Sequence, residues 1–281
     1  MARLVLLLMC FLFPSLGGIA QPLDPSCTQE GVSACIDWDR QVVLAEGSGA
    51  PASSARTQAQ QNATAERAAR LDAARNALEM IKGVNLSAST KMQDAMLASD
   101  QVSTKVQGML YGLRTVGAPR FFSDGSVRVR VEASLKQVIP EDLLETTEAP
   151  EAVPDASGAP TSPRIDFSAK YTGLVIDARG TDLQPAMAPK VLDASGDELY
   201  GSAYVDANFV RQHGMAGYVR SPEQAQENDR VAGNPLLLEA TGTSGPNQTD
   251  VVISTEDAEA LRKLAQKLPF LKEARVVMIL N

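Results

Sequence analysis

The segment that most constrains the fold is an alanine-rich stretch at residues 53–82. Apolar residues recur within it at spacings of three or four, which is the period of one helix face. The predicted inward face consists of Ala68, Leu71, Ala74, Leu78 and Ile81. Gly83 follows at once and suits the end of a helix. Because alanine side chains are short, we predict that this helix packs closely on one face of a small antiparallel sheet.

The residues on either side of this helix supply strand patterns for that sheet. Residues 41–45 predict a strand, followed by a glycine-containing turn at residues 46–49. After the helix, residues 84–88 alternate between apolar and polar side chains, which is the period of a half-buried strand. A shorter helix is predicted over residues 102–110.

A β-hairpin completes the first domain. Strands predicted at residues 113–121 and 127–135 are joined by Asp124-Gly125, which is a strong signal for a tight hairpin turn. In the second strand we expect Val127, Val129 and Val131 to face the core, and Arg128, Arg130 and Glu132 to face water. Residues 41–144 are therefore predicted to form one α+β domain.

A proline-rich, acidic segment at residues 145–165 separates this domain from a second one. It has no helix or strand period, so we predict a semi-stiff linker. The second domain, residues 166–281, has strand patterns at 171–180, 190–193, 198–200, 235–240, 250–254 and 274–280, and helix patterns at 207–212, 222–228 and 255–266. The predicted fold class is α+β, with two domains that each combine a small, mostly antiparallel sheet with packed helices.

The N-terminus has the pattern of an export signal. Arg3 precedes an apolar run at residues 4–13, and small residues lead to Ala20, as in a cleavable signal peptide. The run is shorter than the roughly 20 residues that span a bilayer. We therefore predict that residues 1–20 are removed after Ala20, and that residues 21–40 form an N-terminal segment of a periplasmic or secreted protein.

The charge and hydropathy of the chain argue against nucleic-acid binding and against membrane insertion. The formal net charge is −8, and lysines and arginines are scattered instead of forming a stripe with aromatic residues. We therefore expect no nucleic-acid binding. No other segment is apolar enough to predict stable transmembrane insertion. No catalytic motif is recognisable, and no cofactor is predicted.

The cysteines bear on anchoring and on disulfide formation. Cys10 lies inside the apolar run, which argues against lipid attachment there. Export leaves Cys27 and Cys35, and an even pair in an oxidising compartment favours a disulfide between them. A metal site is the alternative for these thiols, but it needs further ligands, and His213 is the only histidine. We predict the disulfide and no metal site.

Acidic residues of the second domain are the candidate ligand-binding groups. Asp177 and Asp182, with Arg179 between them, could converge on a site for hydrolysis or for a cation. The alternative is that Asp177 and Arg179 form an ion pair that orients the following loop. Asp193-Ala-Ser-Gly-Asp197 and Glu198 add further acids, but this segment has the composition of a hairpin turn.

Three motifs of the first domain support a family resemblance. They are Ala45-Glu-Gly-Ser-Gly49, the alanine-rich run from residue 65 to Val84, and Asp124-Gly-Ser-Val-Arg-Val-Arg-Val131. Through them, residues 42–135 resemble the bacterial family of 20-kDa envelope lipoproteins and the N-terminal domain of the flagellar assembly protein FlgT. The resemblance implies a non-catalytic envelope or flagellar component that works by binding its neighbours. The lipid-bearing cysteine of the lipoproteins has no counterpart here, because Cys10 is misplaced.

The second domain resembles one that accompanies this module in uncharacterised exported bacterial proteins, through residues 171–180, 231–235 and 244–247. That resemblance implies no activity. We therefore expect a periplasmic assembly or interaction factor that is not an enzyme and whose partners are other envelope or flagellar proteins. The alternatives are a carboxylate-based hydrolase, or a protein that binds a cation or small ligand at the second-domain acids or between the domains.

Overall fold

The computed structural model describes residues 33–136, 138, 165–265 and 269–281. The predicted signal peptide, Cys10, Cys27 and nearly all of the predicted linker lie outside these ranges, so what was expected of them stays a prediction. Among the described helices, none is both long enough and apolar enough to cross a lipid bilayer.

The first sheet is antiparallel, and a long helix covers one of its faces. Its strands are β1 (Ala34–Asp37), β2 (Val42–Gly49), β3 (Arg114–Thr115), β4 (Arg120–Phe121) and β5 (Val127–Ser134), and its helices are α1 (Gln58–Lys82), α2 (Met92–Ala98) and α3 (Asp100–Tyr111). β2 lies between β1 and β5, and both β3 and β4 pair with β5. The hairpin predicted at Asp124-Gly125 is confirmed, since Phe121 pairs with Val127 across it. The strand predicted at residues 113–121 is instead divided into the short strands β3 and β4.

Near Gly47 and Gly49, helix α1 approaches β2 so closely that only small residues fit between them. Gly47 and Gly49 lie beneath the helix, where a Cβ atom on either would overlap the α1 backbone. The buried residues of α1 are spaced four apart: Ala65, Ala69, Ala73, Ala77 and Ile81. The predicted close packing is confirmed, but the predicted inward face is only partly right, because Ile81 is buried whereas Leu71 is 56% exposed. Residues 46–49 continue β2 instead of forming a turn, since their glycines serve helix packing.

Two further expectations for the first domain need correction. Residues 84–88 do not form a strand, and Asn85 makes only isolated bridges, one of which joins it to Ala186 of the second domain. Glu132 does not face water, since it is 8% exposed. Arg40 and Arg114 donate hydrogen bonds to its carboxylate at 3.0 and 2.6 Å. These two cations offset the cost of taking a carboxylate out of water.

The second sheet is mixed, with parallel strands at its centre. Its strands are β6 (Leu174–Asp177), β7 (Val191–Leu192), β8 (Glu198–Tyr200), β9 (Gly217–Val219), β10 (Leu236–Ser244), β11 (Asp250–Ile253) and β12 (Val276–Ile279), and its helices are α4 (Ala207–His213), α5 (Pro222–Glu227) and α6 (Thr255–Ala265). The strand order is β8-β7-β11-β10-β6-β12-β9, with β6 parallel to both β10 and β12. The α+β class is confirmed, although this sheet has more parallel pairing than the expected mostly antiparallel one.

Burial on both faces explains the parallel centre. Leu174 and Ile176 of β6 pack in one apolar cluster with Leu261 of α6, whereas Val175 packs in another with Ala225 of α5. Strands that are apolar on both faces are typical of parallel sheets. All strands and helices predicted for this domain are present, and β9 is an addition to them.

The two domains are joined by main-chain hydrogen bonds and share apolar packing. The amide of Met187 donates to the carbonyl of Asn85 at 3.0 Å, and the amide of Asn247 donates to the carbonyl of Ala88 at 2.9 Å. Four buried residues of the second domain lie in the core of the first: Met187, Ala188, Val210 and Met215. The sequence predicted two linked domains, but not a common core.

Gln41 forms a buried contact between the domains. It is 4% exposed, and its Nε2 donates a hydrogen bond to the carbonyl of Ala216 at 2.7 Å. Its side chain occupies the space beside Gly214, where a Cβ atom would overlap it. Gly214 has a φ of 73°, a conformation that favours glycine. This contact therefore depends on the buried side-chain amide of Gln41 and on glycine at position 214.

Candidate functional site

The predicted acid site of the second domain is an ion pair. Asp177 ends β6, and its Oδ1 and Oδ2 accept hydrogen bonds from Nε and an Nη atom of Arg179 at 2.9 and 2.6 Å. These bonds lower the pKa of Asp177 below its ordinary value, although burial opposes them. A carboxylate engaged in this way is poorly suited to hold a proton for general acid catalysis.

Asp182, the other predicted acid, is exposed to solvent. The loop between it and β6 is held by Asn281, whose Oδ1 accepts from the amide of Gly180 at 2.9 Å and whose Nδ2 donates to the carbonyl of Thr181 at 2.7 Å. The ion pair of Asp177 and the contacts of Asn281 thus orient this loop. The structure brings Asp177 and Arg179 together but leaves Asp182 on the surface.

The segment from Asp193 to Asp197 forms the predicted turn. Oδ1 of Asp193 accepts hydrogen bonds from the amides of Ser195 and Asp197, each at 2.9 Å. Burial raises the pKa of Asp193, but hydrogen bonds from Ser195 and Arg262 outweigh burial and hold the pKa at about 2. The carboxylate is a turn-forming group with its own cationic partner.

Arginine or lysine partners therefore engage the candidate acids of the second domain other than Asp182. Besides the pairs at Asp177 and Asp193, Glu198 pairs with Lys190 at 2.8 Å. In the described part of the chain, no three His, Cys, Asp or Glu side chains gather in a way that could hold a metal ion. His213 is exposed at the end of α4.

A buried carboxylate that the sequence did not single out lies at the start of β11. Asp250 is 4% exposed, and burial raises its pKa to about 6, while the amide and the charge of Lys190 oppose this shift. The amide of Lys190 donates to Oδ1 of Asp250 at 3.1 Å. The preceding Thr249 is fully buried as well. Because valines follow Asp250, the sequence predicted only a strand here.

A cleft of about 460 Å³ lies between the two domains. β1, Trp38 and the C-terminal end of α1 form its first-domain walls, and Gln184 and Pro185 form the opposite wall. Its volume is within the roughly 300–1,000 Å³ typical of ligand sites. Among the described residues that line it, Glu79 is the only titratable one, and Lys82 pairs with it at 2.8 Å. The cleft therefore offers apolar and hydrogen-bonding groups but no acid–base pair.

Trp38 connects the walls of this cleft. It is the only tryptophan of the chain, and its ring meets Tyr218 edge to face with 5.5 Å between the centroids. The hydroxyl of Tyr218 donates to the carbonyl of Ala186 at 2.9 Å and accepts from its amide at 3.1 Å. Ala186 follows Pro185 in the opposite wall, so one aromatic pair holds both sides in place.

Cys35, the predicted disulfide residue, lies in β1. It is disulfide-bonded. Its predicted partner Cys27 falls outside the described residues, so the pairing of these two cysteines stays a prediction.

Comparison with known proteins concerns the second domain. Residues 173–281 match the family model of the second domain of Treponema pallidum Tp0624. The match begins one residue before β6 and contains the whole second sheet, but it covers less than half of the chain. It includes Gln184 and Pro185 of the cleft and leaves out the first-domain walls. The chain matches none of the curated proteins.

Proposed function

We propose that this chain is a non-catalytic, exported protein of the cell envelope that works by binding neighbouring envelope or flagellar components. The cleft between the domains carries this proposal, because it presents apolar and amide groups from both domains without a pair suited to acid–base chemistry. The resemblance of residues 42–135 to envelope lipoproteins and to FlgT supplies the envelope setting. The signal predicted at residues 1–20 supplies the route.

The way the domains are joined favours binding at this cleft. The bonds of Asn85 to Met187 and of Gln41 to Ala216 fix the walls relative to each other. A preorganised cleft loses less conformational entropy when a partner binds than a flexible one does. A segment of a partner protein could therefore lie against Trp38 and the end of α1 without rearranging either domain.

The hydrolase alternative gains no support from the geometry. Asp177 is engaged by Arg179, and Asp182 is exposed and does not line the cleft between the domains. We therefore favour binding over catalysis.

Small-ligand binding in the same cleft is a second candidate, favoured by the cleft volume and by Trp38 in its wall. Two measurements test it: calorimetric titration with small-molecule collections, and then quenching of Trp38 fluorescence by the compounds that bind. A saturable change that Met80→Arg abolishes would support this candidate, since Met80 also lines the cleft. Heat or quenching that the substitution leaves unchanged would place the ligand elsewhere.

Site-specific photo-cross-linking in the producing cells tests the leading proposal. A photoreactive residue at Glu79, in the cleft wall, is compared with one at Arg67, an exposed position of α1 outside the cleft. We expect a defined envelope or flagellar adduct from position 79 and none from position 67. A lack of such an adduct, with motility and envelope integrity unchanged after gene deletion, would contradict the proposal.

A further inference from the structure

The hairpin tip, defined as residues 120–128 at the turn between β4 and β5, carries exposed aromatic and cationic side chains. Phe121 and Phe122 are 54% and 43% exposed. Arg120 and Arg128 are also exposed, and they lie directly opposite each other across the strand pair. Apolar side chains that are grouped at the surface and flanked by polar ones mark contact surfaces, whereas singly scattered ones do not.

The charge around the hairpin tip is opposite in sign to that of the chain. Residues 114–130 contain four arginines and one aspartate, whereas the whole chain has a formal net charge of −8. Arg114 and Arg130 are paired with glutamates. Among the described residues, Arg120 and Arg128 have no such ion pair. Like charges placed directly opposite each other destabilise a strand pair, so an anionic partner would relieve a cost already present in the fold.

The turn holds these side chains in a fixed arrangement. The amide of Phe122 donates to the carbonyl of Ser126 at 3.0 Å, and the amide of Gly125 donates to the carbonyl of Phe122 at 3.0 Å. Asp124 is the one acid of the tip, and its Oδ1 accepts from the amide of Ser126 at 2.9 Å. The guanidinium of Arg128 lies 5.4 Å from the ring centroid of Phe122. The aromatic side chains are thus presented by an ordered turn.

We propose that the hairpin tip binds the surface of an anionic lipid bilayer. Phe121 and Phe122 are neighbours at the end of a strand, so their side chains point to opposite faces. A folded protein partner would cover one of these faces, whereas a lipid interface surrounds a turn on both. The phenyl rings enter the boundary between headgroups and acyl chains, and Arg120 and Arg128 meet lipid phosphates, for which guanidinium is well suited.

This inference goes beyond the proposed function, because it supplies a membrane contact that the cleft does not need. The hairpin tip would bind at the surface of the bilayer, without a segment that crosses it. Each cationic side chain near an anionic bilayer raises the partition coefficient about fivefold. Two arginines and two phenyl rings therefore give weak, reversible attachment that high salt reduces.

Vesicle sedimentation tests the proposal with the exported form of the chain, whose N-terminus is first verified by mass spectrometry. Vesicles of phosphatidylcholine alone are compared with equal mixtures of phosphatidylcholine and phosphatidylglycerol. We expect binding to the anionic vesicles only. Arg120→Ser with Arg128→Ser should weaken it at least about tenfold, and Phe121→Ser with Phe122→Ser should weaken it roughly as much.

The matched control is Arg67→Ser with Arg75→Ser, which removes two exposed arginines of α1 and should leave vesicle binding unchanged. Circular dichroism verifies folding, and if the phenylalanine variant unfolds, the arginine variant decides. Absent binding by the wild type, or equal loss in the control, would overturn the proposal. Hairpin-dependent binding of polyglutamate without vesicle binding would overturn it as well, in favour of an acidic protein partner.

Discussion

At the scale of single residues, Asp250 shows how burial couples to pH. Burial raises its pKa to about 6 from an ordinary value of 3.8, partly opposed by Lys190 and increased by Glu198. Between these two values the folded chain binds more protons than the unfolded chain. The free energy of unfolding therefore falls as the pH rises through this window.

Replacement of Asp250 by Asn should remove this pH dependence. Asn keeps an oxygen that can accept the Lys190 amide but cannot ionise. The variant should match the wild type near about pH 4 and exceed its free energy of unfolding by about 3 kcal/mol at most near about pH 7. Urea unfolding at several pH values measures the difference. Parallel curves for the two proteins would contradict the assignment.

The pKa of Asp193 is shifted in the opposite direction, so its effect on the free energy of unfolding changes with pH in the opposite sense. Its pKa is about 2, so its contribution to stability is complete above the ordinary value of 3.8 and is lost as the pH falls through about 2. Asp193→Ala should cost about 2 kcal/mol near neutral pH, because it leaves the amides of Ser195 and Asp197 without their acceptor. Arg262→Met should cost less than about 1 kcal/mol, since Arg262 is 43% exposed. Equal losses from the two substitutions in urea unfolding would contradict this ranking.

At the scale of secondary-structure elements, the contact of α1 with β2 organises the first domain. The helix presents alanines spaced four apart, and the strand presents glycines beneath them. Burying only small side chains limits the apolar area of the contact, but it lets two backbones approach closely and pack at high density. The geometry therefore tolerates almost no added volume.

Gly47→Ala tests this contact, with Gly108→Ala as its matched control. The new methyl group at position 47 would overlap the backbone of Ala69 and Ala73, which should cost about 3 kcal/mol or more. At position 108, in α3, nothing lies within 4 Å, so alanine should stabilise by about 0.5–1 kcal/mol through its helix propensity. Thermal unfolding measures both changes. A small loss at position 47 would show that the contact is looser than described.

The sequence predicted where the helices and strands lie from the spacing of their apolar residues. It did not predict which face of the helix at residues 53–82 is buried. The leucines of residues 53–82 suggested that Leu71 faces inward, but the strand beneath has glycines that admit only alanine. The same glycines suggested a turn at residues 46–49. The glycines of β2 leave room only for small side chains on the facing side of α1. Neither segment alone shows this, because it depends on the distance between the packed helix and strand.

At the scale of the whole molecule, the candidate cleft exists because two domains far apart in sequence share a core. Trp38 and Pro185 carry no local signal that they face each other, so the sequence could not predict the cleft. For the acids, the sequence offered an ion pair or a turn as the alternative to a ligand site, and the structure has an ion pair at Asp177 and a turn at Asp193. The spacing of apolar residues predicts local helices and strands, but it does not predict contacts between residues that are far apart in the sequence.

Gly214 offers a substitution at the interface of the domains. Gly214→Ala places a methyl group against the buried Gln41 and strains a φ of 73°, so it should destabilise by about 1–3 kcal/mol. Because the interface is shared, hydrogen exchange should show reduced protection in both sheets. A loss of protection confined to the second sheet would contradict this expectation.

The central claim, that both domains form one cooperative unit around the cleft, is tested most directly by urea unfolding of the full chain with two probes. Fluorescence of Trp38 reports the interface, and far-ultraviolet circular dichroism reports the helices and sheets of both domains. We predict a single transition with coincident midpoints. A Trp38 transition that precedes the loss of secondary structure, or two separate circular dichroism transitions, would contradict it.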